Sequence, residues 1–167
     1  MIERKSIIDG VESIVKYSDC EKYRYVLTRI WKSKGGRVLF IGLNPSTADE
    51  LKNDPTVTRM VNFSKNWGFG SLTVCNLFAF RATVPKVMKA ENDPIGEEND
   101  FLILKELESA DLVVAVWGNH GTFLNRSSQF MTHLKGFSHF GFTKLGEPRH
   151  ILYLKGDSIL LEGKLER

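Results

Sequence analysis

Cysteine is scarce in this chain of 167 residues, with Cys20 and Cys75 the whole supply. Two thiols exclude, within one chain, a disulfide framework, a four-cysteine zinc site and a four-cysteine iron–sulfur cluster. Cys75 lies in an apolar run and reads as a small core residue. Long hydrophobic runs are missing as well. No segment approaches the roughly 20 apolar residues that cross a bilayer, and the opening MIERKSIIDG carries acidic residues and no apolar stretch of signal-peptide length. A cytoplasmic protein with no membrane partner is expected. Nor is charge of one sign in excess: a formal net charge of +3 and a pI near 8.8 are compatible with a polyanionic partner without demanding one. Lysines and arginines are interspersed with acids and form no basic stripe. His120, His133, His139 and His150 have no cysteine or carboxylate partners at metal-ligand spacing, so neither a metal nor another cofactor is expected. Repeats, low-complexity stretches and linkers are absent, and the composition, 42% hydrophobic and 26% charged, is that of an ordinary globular protein of one domain.

What is present is a sharp contrast in residues 37–49, RVLFIGLNPSTAD. Val38, Leu39, Phe40 and Ile41 form an apolar run too short for a helix and suited to a buried strand. The chain then breaks into a polar loop. Asn44 both donates and accepts hydrogen bonds, Pro45 stiffens the backbone, and Ser46, Thr47 and Asp49 add short polar groups that either cap a helix or bind a polar ligand.

Before this stretch, residues 23–31 (YRYVLTRIW) have strand composition and Lys34, Gly35 and Gly36 form a turn, predicting a hairpin over about 23–41 that leads into the central sheet. Asp54 and Pro55 then mark the start of a helix that carries Val57, Met60, Val61 and Trp67 and stops at Gly68. A second strand, SLTVCNL (71–77), is followed by Phe78, Phe80 and Arg81. Thr83 is placed to cap a short helix over 84–90, and an amphipathic helix is predicted over about 97–109 with Leu102, Leu104 and Leu107 on its apolar side. A third strand, DLVVAVW (111–117), ends in Gly118, Asn119, His120 and Gly121. A helix over 126–134 and a strand over 137–142 complete the pattern, and the tail from Gly146 has no clear assignment. Alternating strands and helices predict an α/β fold, a three-layer αβα sandwich with a largely parallel central sheet. In such a sheet the polar clusters at 44–49, 76–81 and 118–120 share one edge, the edge where open α/β sheets bind ligands.

The strings FIGLNPSTAD, NDPTVTR, WGFG, NLFAFRAT, END, AVWGNHG and TKLGEPRHILYL closely resemble an uncharacterised family of small bacterial and phage proteins, a domain of unknown function, over residues 23–154. A more distant similarity carries chemistry. GLNPS resembles the first motif of the mismatch-specific branch of the uracil-DNA glycosylase superfamily, VCNL its strand ending in a base-reading Asn, LVVAVWG the Trp-Gly strand of the classical branch, and RHILYL its second motif. All four occur in the superfamily's order. The resemblance implies a uracil-DNA glycosylase-like fold, with Asn44 positioning the attacking water, Asn76 contacting the base edge and His150 stabilising the leaving base.

Such a cleavage builds negative charge on the departing base, which preorganised donors stabilise. A base in nucleic acid must also leave its stack and meet an aromatic face. Phe63, Trp67, Phe69, Phe78 and Phe80 are the candidates for that platform, with Phe78 and Phe80 nearest the expected site. Two departures stand out: the first motif holds Asn44 where the classical branch has an Asp, and Ile151 follows His150 where the superfamily has Pro. Ser46, Thr47 and Asn119 are further substrate contacts, and Arg59 and Arg81 either hold phosphate through forked hydrogen bonds or are simply solvated. Asp54 reads first as a helix cap, and Leu154 as either a wedge or a strand residue. The expected activity is hydrolysis of an N-glycosidic bond in DNA or a nucleotide, the alternatives being a noncatalytic nucleobase-binding module and a hydrolase of free nucleosides. Nucleic acid or a nucleotide is the expected partner, and no protein partner is indicated.

Overall fold

The computed structural model describes residues 1–163. Its framework is a mixed eight-stranded sheet, composed of β1 (Ile2–Ile8), β2 (Val11–Tyr17), β3 (Arg24–Ile30), β4 (Arg37–Gly42), β5 (Ser71–Asn76), β6 (Leu112–Ala115), β7 (Phe137–His139) and β8 (Leu161–Gly163) in the spatial order β1-β2-β3-β5-β4-β6-β7-β8. Four helices accompany it: α1 (Pro55–Asn66), α2 (Pro85–Lys89), α3 (Asn99–Glu108) and α4 (Arg126–Met131).

The two faces of the central strands are apolar for different partners. Successive side chains on a strand point to opposite faces. Leu39 and Ile41 of β4 accordingly join Cys75, Ala115, Met88 and the α3 residues Leu102 and Ile103 in one cluster. Val38 and Phe40 join Leu72, Val74, Val114 and the α1 residues Val57, Met60 and Phe63 in the other. Burial on both faces explains why β4 reads as a continuous apolar run with no alternation.

The expectation of a largely parallel sheet is corrected. Only β5, β4, β6 and β7 run parallel to one another. The other four of seven pairings are antiparallel. Two of these pairings involve β1 and β2, which escaped the sequence reading, β1 because it carries Glu3, Arg4 and Lys5 and buries no residue fully; the other two join β3 to β5 and β7 to β8. The expected hairpin over 23–41 is also corrected. Both strands exist, but β5 inserts between β3 and β4, pairing antiparallel with one and parallel with the other. Thr83 does not cap α2, whose N-cap position is Val84 with no side-chain bond. Leu104 of α3 is exposed, because that helix buries Asn99, Leu102 and Ile103.

The turn before β4 closes tightly on Gly70. Its carbonyl accepts from Trp31 N and Lys32 N, and its own N–H donates to Gly36 O. A Cβ at this position would lie 2.3 Å from Lys32 O and 2.5 Å from Lys34 O, both backbone atoms that cannot swing aside. Gly70→Ala is therefore expected to cost about 2–3 kcal/mol and to lower Tm by about 5–10 °C. A melting curve that superimposes on the wild type would refute this account of the turn.

Candidate functional site

Because β4, β5 and β6 are parallel and in register, with Gly42 opposite Asn76 and Ile41 opposite Ala115, their carboxyl ends form one edge. A cleft of about 730 Å³ opens there. Its lining includes Leu43, Asn44 and Ser46 after β4, Asp54 to Thr56 at the start of α1, Ala82, Thr83 and Pro85 before and within α2, Trp117 to His120 after β6, and Arg149, His150 and Leu152 to Leu154 of the tail. This size is typical of a small-molecule site. Beneath it lies a recess of about 40 Å³, bordered by Arg24, Asn44, Asp54, Asn76 and His150 among others. Asn44, Asn76 and His150, drawn from three separate segments, thus meet around one recess.

Asn44 is held in one orientation. Its Nδ2 donates to Pro45 O at 3.0 Å and Ala82 O at 2.9 Å, so both amide protons are committed and Oδ1 is the group left for a ligand or water. Asn76 ends β5 and is buried against Gly42, where a Cβ would lie 2.7 Å from its Oδ1. Gly42 is therefore the residue that lets this side chain in. Asn76 Nδ2 is buried and has no hydrogen-bond partner.

The tail that delivers His150 is tied down from two sides. Gly118 N donates to Pro148 O, and Arg59 Nε of α1 donates to Ile151 O at 3.0 Å while its Nη2 reaches Leu154 O. His150 caps the following 3-10 turn (Ile151–Tyr153), its Nδ1 accepting from Leu152 N. In the neutral ring the proton therefore sits on Nε2. Burial pushes the His150 pKa below its ordinary value, partly opposed by the nearby Asp54 carboxylate and reinforced slightly by His120. The cleft wall at Trp117 is fixed by a buried carboxylate: Trp117 Nε1 donates to Glu147 Oε2 at 2.6 Å, and Ser127 Oγ to Oε1 at 3.0 Å.

Ser46 and Asn119 also line the cleft, with Asn119 Oδ1 accepting from Thr143 Oγ1. The other expected contacts lie elsewhere. Thr47 is exposed outside the cleft. Phe78 is fully buried in the core against Phe123. Phe80 packs edge-on to Tyr23, Phe63 and Trp67 pack with Phe140 in the core, and Phe69 belongs to the same core region. Arg81 sits over the Tyr17 ring and donates to Glu21 O. Arg59 is committed to the tail carbonyls, so neither arginine is set to fork onto a phosphate. Asp54 caps α1 as expected, accepting from Val57 N at 2.9 Å, and also takes Ala48 N at 3.2 Å, yet it borders both cavities.

Among the lining residues that the sequence reading did not single out as contacts, three stand out. Two are aromatic residues of the cleft wall, the buried Trp117 and the 86% exposed Tyr153. Arg24 is the third. It is 2% exposed, donates through Nη1 to Ala48 O at 2.7 Å, and has an unpartnered Nε. A charged residue inside an apolar strand run was the available signal. Among the described residues no group of three or more His, Cys, Asp or Glu side chains is arranged to hold a metal ion, and no helix is long and apolar enough to cross a membrane.

The depressed His150 pKa makes a sign-definite prediction. The unfolded chain, with an ordinary value near 6.5, binds the proton more readily than the fold does. The stability this residue contributes is thus present above about pH 6.5 and lost as pH falls toward the folded value. Thermal melts from pH 7 to pH 5 should show a steeper loss of Tm for the wild type than for His150→Gln. Equal slopes would show that the imidazole is not buried as a neutral group.

No curated protein matches this chain. The model of a family described as a protein of unknown function (DUF1643) matches residues 24–152, a span that runs from the buried Arg24 through the edge loops to the tail carrying His150. The chain belongs to the DUF1643 family.

Proposed function

We propose that this protein hydrolyses an N-glycosidic bond in nucleic acid or a nucleotide, with the base held over the recess and the sugar in the open cleft. The observation that carries this reading is the meeting of Asn44, Asn76 and His150 around one recess at the carboxyl edge of the parallel strands. The proposal extends to the architecture: helices on both faces of the parallel strands suit the three-layer arrangement of the uracil-DNA glycosylase superfamily, with an added antiparallel wing, in one cytoplasmic domain.

In this reading Asn44 Oδ1 accepts a hydrogen bond from water and aims its oxygen at the anomeric carbon. The carbon–nitrogen bond breaks and its electron pair leaves on the base, the water oxygen bonds to the anomeric carbon, and one proton of that water passes to solvent or to the departing base. His150 Nε2–H and Asn76 Nδ2–H face the base, where negative charge grows. Tyr153, largely exposed, offers aromatic surface for the base. Asn44 has no basicity to remove a proton, so the reaction is slow and leans on leaving-group stabilisation.

A noncatalytic base-binding module is the second reading. It is favoured by the one carboxylate at the cleft floor, Asp54, having both oxygens engaged by backbone N–H groups. Mass spectrometry of free base separates the two. The protein is incubated with single-stranded and duplex DNA holding uracil, mismatched thymine or modified pyrimidines, and with the matching free nucleosides. Base release is expected, falling about 100-fold or more in Asn44→Ala. No release from any substrate would overturn hydrolysis and leave the binding module.

A further inference from the structure

Arg24 presents an electrostatic problem that the fold leaves open. Its guanidinium is almost wholly buried, and among the described residues it forms no ion pair. Its one recorded bond, from Nη1 to Ala48 O, satisfies a loop carbonyl and supplies no countercharge. The nearest relevant carboxylate, Asp54, gives its oxygens to Ala48 N and Val57 N. Nε–H is left without an acceptor, and Arg24 borders the recess. Burial pushes its pKa down to about 10, which still leaves it charged at neutral pH. Asp54 attracts this cation through space without pairing with it, so burial is only partly compensated, and the unpaired buried donor adds a further cost. Both costs fall if an anionic acceptor enters the recess.

Size then restricts what enters. A water-sized group needs about 10–15 Å³ of such space. The recess, at about 40 Å³, is far smaller than the cleft it adjoins and suits a small substituent of a ligand held in that cleft. Arg24 and Asn76, each with a buried unpartnered N–H, border it with His150, alongside the acceptor-bearing side chains of Asn44 and Asp54. We propose that Arg24 is a charged donor to an exocyclic oxygen of the ligand's base in this recess, so that the site binds the anionic form of an oxo-base more tightly than its neutral form. This rests on the nucleobase reading of the cleft and adds to it the group that carries the countercharge. In the proposed reaction the same contact strengthens as the carbon–nitrogen electron pair moves onto the base and its oxygen becomes anionic.

The test uses the whole chain and needs no turnover. Binding of 5-nitrouracil, whose nitro group makes its ring N–H acidic enough to ionise near neutrality, is titrated calorimetrically from pH 5 to 8 beside uracil, which stays neutral. Affinity for 5-nitrouracil is expected to rise about tenfold per pH unit below the ligand's own pKa and then level off, while uracil shows no rise. The charged or titratable groups around Arg24 are Asp54 at the start of α1, Tyr17 of β2, Arg29 of β3, Arg81 after β5 and His150 of the tail. His150 gains positive charge as pH falls and would favour an anion at low pH, so it cannot produce a rise with pH. Arg24→Gln, monitored for an intact melting transition, is expected to lose the rise.

An affinity that stays flat or falls as 5-nitrouracil ionises, no binding of either base, or a rise retained in a folded Arg24→Gln would each overturn the proposal and leave the recess to a resident water. The wild-type profile decides even if the variant fails to fold. Anion preference in a protein that releases no base would keep Arg24's role and remove hydrolysis. Base release without anion preference would do the reverse.

Discussion

The cleft depends on two guanidinium groups that β3 carries into the protein. The loop between β4 and α1 is irregular, and its carbonyls have no strand or helix partner to satisfy them. Arg24 takes Ala48 O, while Arg29 takes Asp49 O, Lys52 O and Asn53 Oδ1. A planar group with five donors in a fixed fork suits this task as a lysine ammonium does not. From the other side Asp54 joins the loop to α1 through Ala48 N and Val57 N. With the loop's far end fixed, its near end, Leu43 to Ser46, forms one wall of the cleft. Asn44 is then fixed by carbonyls of two segments rather than by solvent.

This arrangement explains which parts of the fold were legible in the sequence. β4, β5 and β6 were readable because each is an apolar run broken by a polar residue. The cap of α1 was readable because Asp54 and Pro55 are local signals. Strand order was not local information. Nothing in the span from Tyr23 to Ile41 says that β5, thirty residues further on, will separate the two strands. The β1 edge strand was hidden by its own solvent exposure, since a strand blunted by Glu3, Arg4 and Lys5 carries little apolar pattern.

The site was legible to the same depth. Asn44, Asn76 and Asn119 follow from polar residues at strand ends, and their convergence follows from parallel strands. Phe78 and Arg81 were assigned on proximity in sequence to Asn76, but the chain after β5 runs beside residues 42–45, bonding Leu77 N to Gly42 O and Phe78 N to Leu43 O. That course keeps Phe78 in the core and carries Arg81 toward Tyr17. The partners of Arg59 are backbone carbonyls of the tail, which leave no mark in a side-chain pattern. Arg24 was overlooked for a related reason: its neighbours in sequence describe a strand, and its function depends on a loop two dozen residues away.

The balance of polar groups at the cleft floor bears on how the proposed chemistry would be apportioned. A catalyst of this bond cleavage can strengthen the attacking water or ease the departure of the base. Asn44 offers the water an oriented acceptor and no base. Bordering the recess are a buried guanidinium, an amide with an unpartnered N–H and a ring whose burial favours the neutral form. Polarity spent in this way does little for a neutral ground state and more for an anion. The recess is therefore weighted toward departure. Under that weighting, bases that leave as stable anions through an exocyclic oxygen are favoured over amino-substituted ones, whose donors would meet donors across the recess.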